Sequence, residues 1–104
     1  MFLTSIAYSK DKLLIHKNQL LSEAKANLIK SGWKPYPTGK PEDLGLIQEP
    51  YIKKGYIEID NCGASSPYCE FNYKKQSRCL KLIAGSFEEP VEESRVATWR
   101  FDCK

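Results

Sequence analysis

The chain has one histidine, one methionine, no C-x-x-C pair, and no apolar run near the roughly 20 residues that a membrane-spanning helix needs. Each shortage removes a class of chemistry. His16 is the sole imidazole, so any Cys-His or Ser-His-Asp mechanism must use it as base, yet it lies between Ile15 and Lys17 with no partner motif beside it. Without C-x-x-C no thiol is set beside a resolving partner. The glycines are scattered singly, so none forms a loop built to cradle phosphate. Charge of one sign is also scarce. Sixteen Lys and Arg against 13 Asp and Glu leave a net +3 interspersed along the chain, unlike the concentrated basic field of a nucleic-acid binder.

What is present is a packed composition. With 104 residues, 41% hydrophobic and 12% aromatic, the sequence is long enough for one domain over 1–104 with a modest core. Residues 1–8 include the small-x-small pattern Ser5-Ile6-Ala7, which reads either as the remnant of an export signal or as an ordinary first strand. Leu20, Leu21, Ala24 and Leu28 share one helical face, predicting an amphipathic helix over Gln19–Ser31 with Asn18 as N-cap. Gly32 supplies a left-handed stop, and Trp33 folds back on the helix.

Between Lys34 and Gly55 four prolines and three glycines predict a long ordered loop, pinned to the body by Leu44, Ile47 and Tyr51. Four strands follow, at Tyr56–Asp60, Tyr68–Lys74, Cys79–Ala84 and Arg95–Cys103. A hairpin turn at Lys75-Gln76-Ser77-Arg78 sets Tyr73 opposite Leu80 and Phe71 opposite Leu82, so both apolar sets face the helix. The last strand offers Ala97, Trp99, Phe101 and Cys103 on one face. The expected fold is α+β: one N-terminal helix packed on an antiparallel sheet of about four strands.

Four cysteines, Cys62, Cys69, Cys79 and Cys103, suggest two disulfides and an oxidising compartment. Three pairings exist. Cys62–Cys69 and Cys79–Cys103 are expected, because Gly63 to Tyr68 is rich in turn formers and the second pair joins neighbouring strands. The loop-entropy model gives these about 2.5 and 3.5 kcal/mol. A bulge or edge distortion is required for the second, since Cys79 faces away from Leu80 while Cys103 shares a face with Trp99. Zinc is disfavoured by intervals of six, nine and twenty-three residues between successive cysteines, against the close ligand pairs of structural sites. No metal or other cofactor is implied.

Carboxylate pairs such as Glu58 with Asp60, or Glu92 with Glu93, read as solvated groups rather than an acid–base pair. Phe71 and Tyr73, beside Lys74, Lys75 and Arg78, look superficially like a base-stacking strand, but they belong to the predicted core face. Tyr36, Tyr51 and Tyr68 instead fall in Pro- or Gly-containing connections, where a large amphipathic ring either anchors a partner or covers the core edge.

The arrangement of Ala24, Leu28-Ile29, Gly32-Trp33, Cys62, Cys69-x-Phe71-x-Tyr73, Leu80-x-Leu82, Gly85 and Val96-x-x-Trp99 resembles small exported bacterial proteins of uncharacterised function. That resemblance implies a periplasmic or secreted setting, not an activity, and the Cys79–Cys103 pair lies outside it. The expectation is a non-enzymatic exported domain that binds a protein, as an inhibitor or immunity-type protein does. Its contact surface would draw on Tyr36, Tyr51 and Tyr68. The alternative is a periplasmic module for a small ligand or envelope component, with an unrecognised hydrolase third.

Overall fold

The computed structural model describes residues 13–38, 48–63, 67–86 and 90–103. The chain forms helix α1 (Leu21–Lys30), strand β1 (Lys34–Pro35), a short helix α2 (Glu49–Lys53), β2 (Ile59–Cys62), β3 (Tyr68–Lys75) and β4 (Arg78–Gly85). A 3-10 turn at Val91–Glu93 then leads into β5 (Arg95–Arg100). The sheet is antiparallel and has five strands rather than about four, and the single N-terminal helix expected is, among the described residues, a helix that starts only at Leu21 and is joined by the short α2. The expected signal remnant at 1–8, and the anchors Leu44 and Ile47, lie outside the described residues.

Among the described residues both helices stop by the same device. In α1 the Trp33 N–H donates to Leu28 O at 2.9 Å and the Gly32 N–H to Ile29 O at 3.0 Å, with Gly32 at φ +96°. In α2 the Tyr56 N–H donates to Tyr51 O and the Gly55 N–H to Ile52 O, with Gly55 at φ +95°. This hydrogen-bond pair is the Schellman motif, and its apolar clasp is present each time, as Leu28 with Trp33 and as Tyr51 with Tyr56. The left-handed glycine was legible at Gly32. At Gly55 it ends a helix of five residues, too short for periodicity to reveal.

The start of α1 differs from expectation. Leu20 is the N-cap and has no side-chain cap bond. Asn18 instead takes φ 71° and joins the outer edge of β5, its N–H donating to Val96 O at 2.7 Å. Asn tolerates that conformation better than most residues, and the β5 edge gives this segment partners for its backbone groups.

The β3–β4 hairpin has the expected register, with Tyr73 opposite Leu80 and Phe71 opposite Leu82. On this face Phe71, Tyr73, Leu80, Leu82 and Ala84 pack with Leu21, Ala24 and Leu28 of α1. In β5 the register shifts, since Ile83 pairs with Thr98 but Ala84 pairs with Val96. That bulge at Ala97 puts Val96 and Trp99 on the core side, rather than Ala97 with Trp99. β5 then ends at Arg100, which removes the facing conflict and lets Cys103 reach Cys79.

Both disulfides are as expected, Cys62–Cys69 with Cα atoms 4.0 Å apart and Cys79–Cys103 at 5.8 Å. Two disulfides fit an oxidising compartment. No helix among the described residues is long and apolar enough to cross a membrane.

Two positions test the packing. Trp33 is 3% exposed, and Trp33→Ala should cost about 3–5 kcal/mol in chemical denaturation. A Cβ at Gly85 would collide with the backbone of Pro67, whereas one at Gly55 meets nothing. Gly85→Ala should therefore destabilise by about 2–3 kcal/mol through a clash that the backbone cannot easily relieve. Gly55→Ala should show only the strain of a left-handed alanine, about 1 kcal/mol in the same assay.

Candidate functional site

Strand pleating sends Glu70, Asn72 and Lys74 of β3, with Cys79, Lys81 and Ile83 of β4, to the face away from α1. This back face is polar. Lys81 is 1% exposed, and its Nζ donates to Asp60 Oδ2 at 3.1 Å and Glu70 Oε1 at 2.9 Å. Asn72 is fully buried, and its Nδ2 donates to Thr38 Oγ1 and Asp60 Oδ2. Its Oδ1 is buried without a hydrogen-bond partner among the described residues.

Asp60 reaches this face because it follows Ile59, which pairs with Phe71 of the core side, so strand alternation turns it the other way. Glu58 goes the other way. It is fully buried on the helix side, where it accepts from Tyr73 Oη at 2.5 Å and from Lys25 Nζ at 3.2 Å. The two carboxylates that sequence set together are thus separated by the sheet, each with its own lysine. Burial against Glu58 pushes the Tyr73 hydroxyl well above its usual range.

At the hairpin end of the back face lies a groove of about 530 Å³. Tyr36, Thr38 and Lys74 come to it from the end of β1 and from β3, and Phe101, Asp102 and the Cys79–Cys103 bridge from β4 and the chain after β5, with Arg78 at the tip. Lys74 Nζ sits 4.9 Å from the Tyr36 ring centroid. The Arg78 guanidinium lies 5.5 Å from the Trp33 ring and 5.1 Å from Phe101. Phe101 is 51% exposed and Tyr36 36%. Large rings with an exposed face, held by cations and a covalent bridge, form a surface that can anchor another molecule with little loss of side-chain entropy.

The three tyrosines do not converge. Tyr36 belongs to this groove. Tyr68 is half-buried at the opposite end of the sheet, where it lines a separate cavity of about 390 Å³ with Gly85, Ser86 and Arg95. Tyr51 is 4% exposed, its ring packed edge-on to Phe71 and its hydroxyl 2.7 Å from Ser94 Oγ, so the structure places it in the core. The α2 turn is what swings it inward. Phe101, Arg78 and Lys74 carry the groove without having been singled out as contact residues in the sequence. The signal for Phe101 was hidden by assigning it to a strand that ends one residue earlier.

His16 is exposed on the approach to α1. All four cysteines are engaged in disulfides, and among the described residues no three His, Cys, Asp or Glu side chains gather in a way that could hold a metal. No family model, curated protein or solved structure matches this chain.

Asp60 gives the back face a pH signature. Burial alone would raise its carboxyl, but hydrogen bonds from Lys81, Asn72 and Thr38 and the Lys81 charge bring it below 3.8. A lowered folded-state value stabilises the native protein above the unfolded value, and that contribution is lost as pH falls through the folded one. In urea denaturation between about pH 5 and pH 2, Asp60→Asn should therefore flatten the decline in stability. An unchanged slope would mean that the Lys81 contact contributes nothing.

Proposed function

We propose that this chain is a non-enzymatic exported protein, periplasmic or secreted, that acts by binding another protein in the manner of an inhibitor or immunity-type protein. The observation that carries the reading is the pair of exposed rings, Tyr36 and Phe101, that line one groove together with the Cys79–Cys103 bridge. Interface anchors are enriched in aromatic residues that need little ordering on association, and a covalent staple at the groove removes further freedom. The two disulfides support the exported setting.

The groove lining mixes charge with apolar surface: Lys74, Arg78 and Asp102 stand beside the two rings and the Cys79–Cys103 bridge, a combination that suits the mixed surface of a protein partner.

A photoreactive phenylalanine analogue at position 101 should cross-link a protein partner in extract from the native source, while the same group at Ile57, equally exposed but away from the groove, should not. Tyr36→Ala and Phe101→Ala should each weaken the isolated complex by about 2 kcal/mol or more with little change in thermal stability. A small molecule released on denaturation, with no protein cross-linked from position 101, would favour the ligand-binding alternative.

A further inference from the structure

The hairpin end carries cations where pairing rules disfavour them. Lys34 sits opposite Lys74 in the β1–β3 ladder, and Lys75 sits opposite Arg78 beside the Gln76-Ser77 turn. Like charges at directly opposed positions destabilise a sheet. Among the described residues none of Lys34, Lys74 and Arg78 meets a carboxylate; Lys74 and Arg78 lie over aromatic rings instead. Lys81, further along the same back face, has two carboxylates to itself. The acids of the sheet are thus spent on the buried cation, and the exposed ones at the tip keep their charge outward.

We propose that this end of the sheet takes an acidic, extended segment of the protein partner, with carboxylates set against Lys34 and Lys74 and an apolar side chain against Tyr36 and Phe101. The inference rests on the protein-binding reading above and names the chemistry of the partner. An incoming carboxylate relieves the Lys34–Lys74 repulsion, so part of the binding free energy comes from strain that the unbound sheet already carries. Asp102 on the groove wall opposes a uniformly charged polyanion such as a nucleic acid backbone. It does not oppose a segment whose acids are spaced by apolar residues.

Lys34→Glu separates this proposal from a purely structural role. It converts a like pair into an opposite pair at an exposed site, so the melting temperature should rise by about 2–5 °C. The probe is a short flexible peptide carrying Glu and Phe, compared with its Lys-for-Glu counterpart, a mixed-sequence DNA duplex and vesicles containing phosphatidylglycerol. Wild-type protein should bind the Glu peptide with an affinity that falls about tenfold or more between about 50 and 500 mM salt. Lys34→Glu should weaken that binding about tenfold despite its higher stability. No binding of the Glu peptide, equal binding by Lys34→Glu, or tighter binding of DNA or vesicles would overturn the proposal. A cross-linked partner held as tightly by Lys34→Glu as by wild type, yet lost in Tyr36→Ala, would overturn the acidic occupant alone and leave the binding surface standing.

Discussion

Two strands share one edge of β3, and the structure depends on how they are spliced there. β1 covers the end near the hairpin and β2 the end near Cys69, and they meet at Asn72. The Asn72 N–H donates to Glu58 O at 3.1 Å, and its carbonyl accepts from the Tyr36 N–H at 2.9 Å. Its side chain then ties Thr38, just after β1, to Asp60 in β2. One residue thus satisfies the backbone of two separate segments and crosslinks them. Without that splice the segment carrying Tyr36 has only a two-residue ladder to hold it, and the groove loses part of its lining.

The splice also explains how the sheet keeps two unlike faces. Toward α1 the side chains are apolar, with one buried carboxylate, Glu58, satisfied by Tyr73 and Lys25. Away from it the central position belongs to Lys81. Taking an ammonium group out of water costs several kcal/mol, and two carboxylates within 3.1 Å offset that cost only if they are held in place. Asn72 holds one of them. A slip of one residue in the β3–β4 register would move Lys81 into the apolar layer and Leu80 and Leu82 out of it, so the ionic cluster specifies register as well as satisfying charge.

What could be read from sequence followed the strength of local signals. The β3–β4 hairpin alternates over eight residues on each side, and its pairing followed from the turn position. Gly32 after an apolar helical stripe marked the end of α1. The elements that escaped are too short for any period: β1 has two residues in a proline-rich stretch and α2 has five. Tyr51 therefore reads from sequence as a loop residue with either a partner or the core edge open to it, and α2 turns it into the core. Lys81 gives no local signal of its role, because Asp60 and Glu70 converge on it from two other positions in the chain. The groove was hidden for the same reason. Tyr36, Arg78 and Phe101 lie far apart along the chain, and only the β1 pairing and the end of β5 at Arg100 bring them together.

The placement of the disulfides completes the physical account. Cys62–Cys69 closes β2 onto β3 at the end of the sheet that carries the acidic 3-10 turn, and Cys79–Cys103 closes the end that carries the hairpin tip. Strands fray from their ends, and the hairpin end has an added reason to splay, because Lys34 faces Lys74 and Lys75 faces Arg78 there. The Arg78 stack on Trp33 and Phe101 offsets part of that repulsion, and the Cys79–Cys103 bridge limits how far the chain can open. A sheet end can therefore hold several outward cations beside exposed rings without loosening. Such an end presents charge and aromatic surface in one fixed geometry, which reduces the ordering that a partner must impose when it binds.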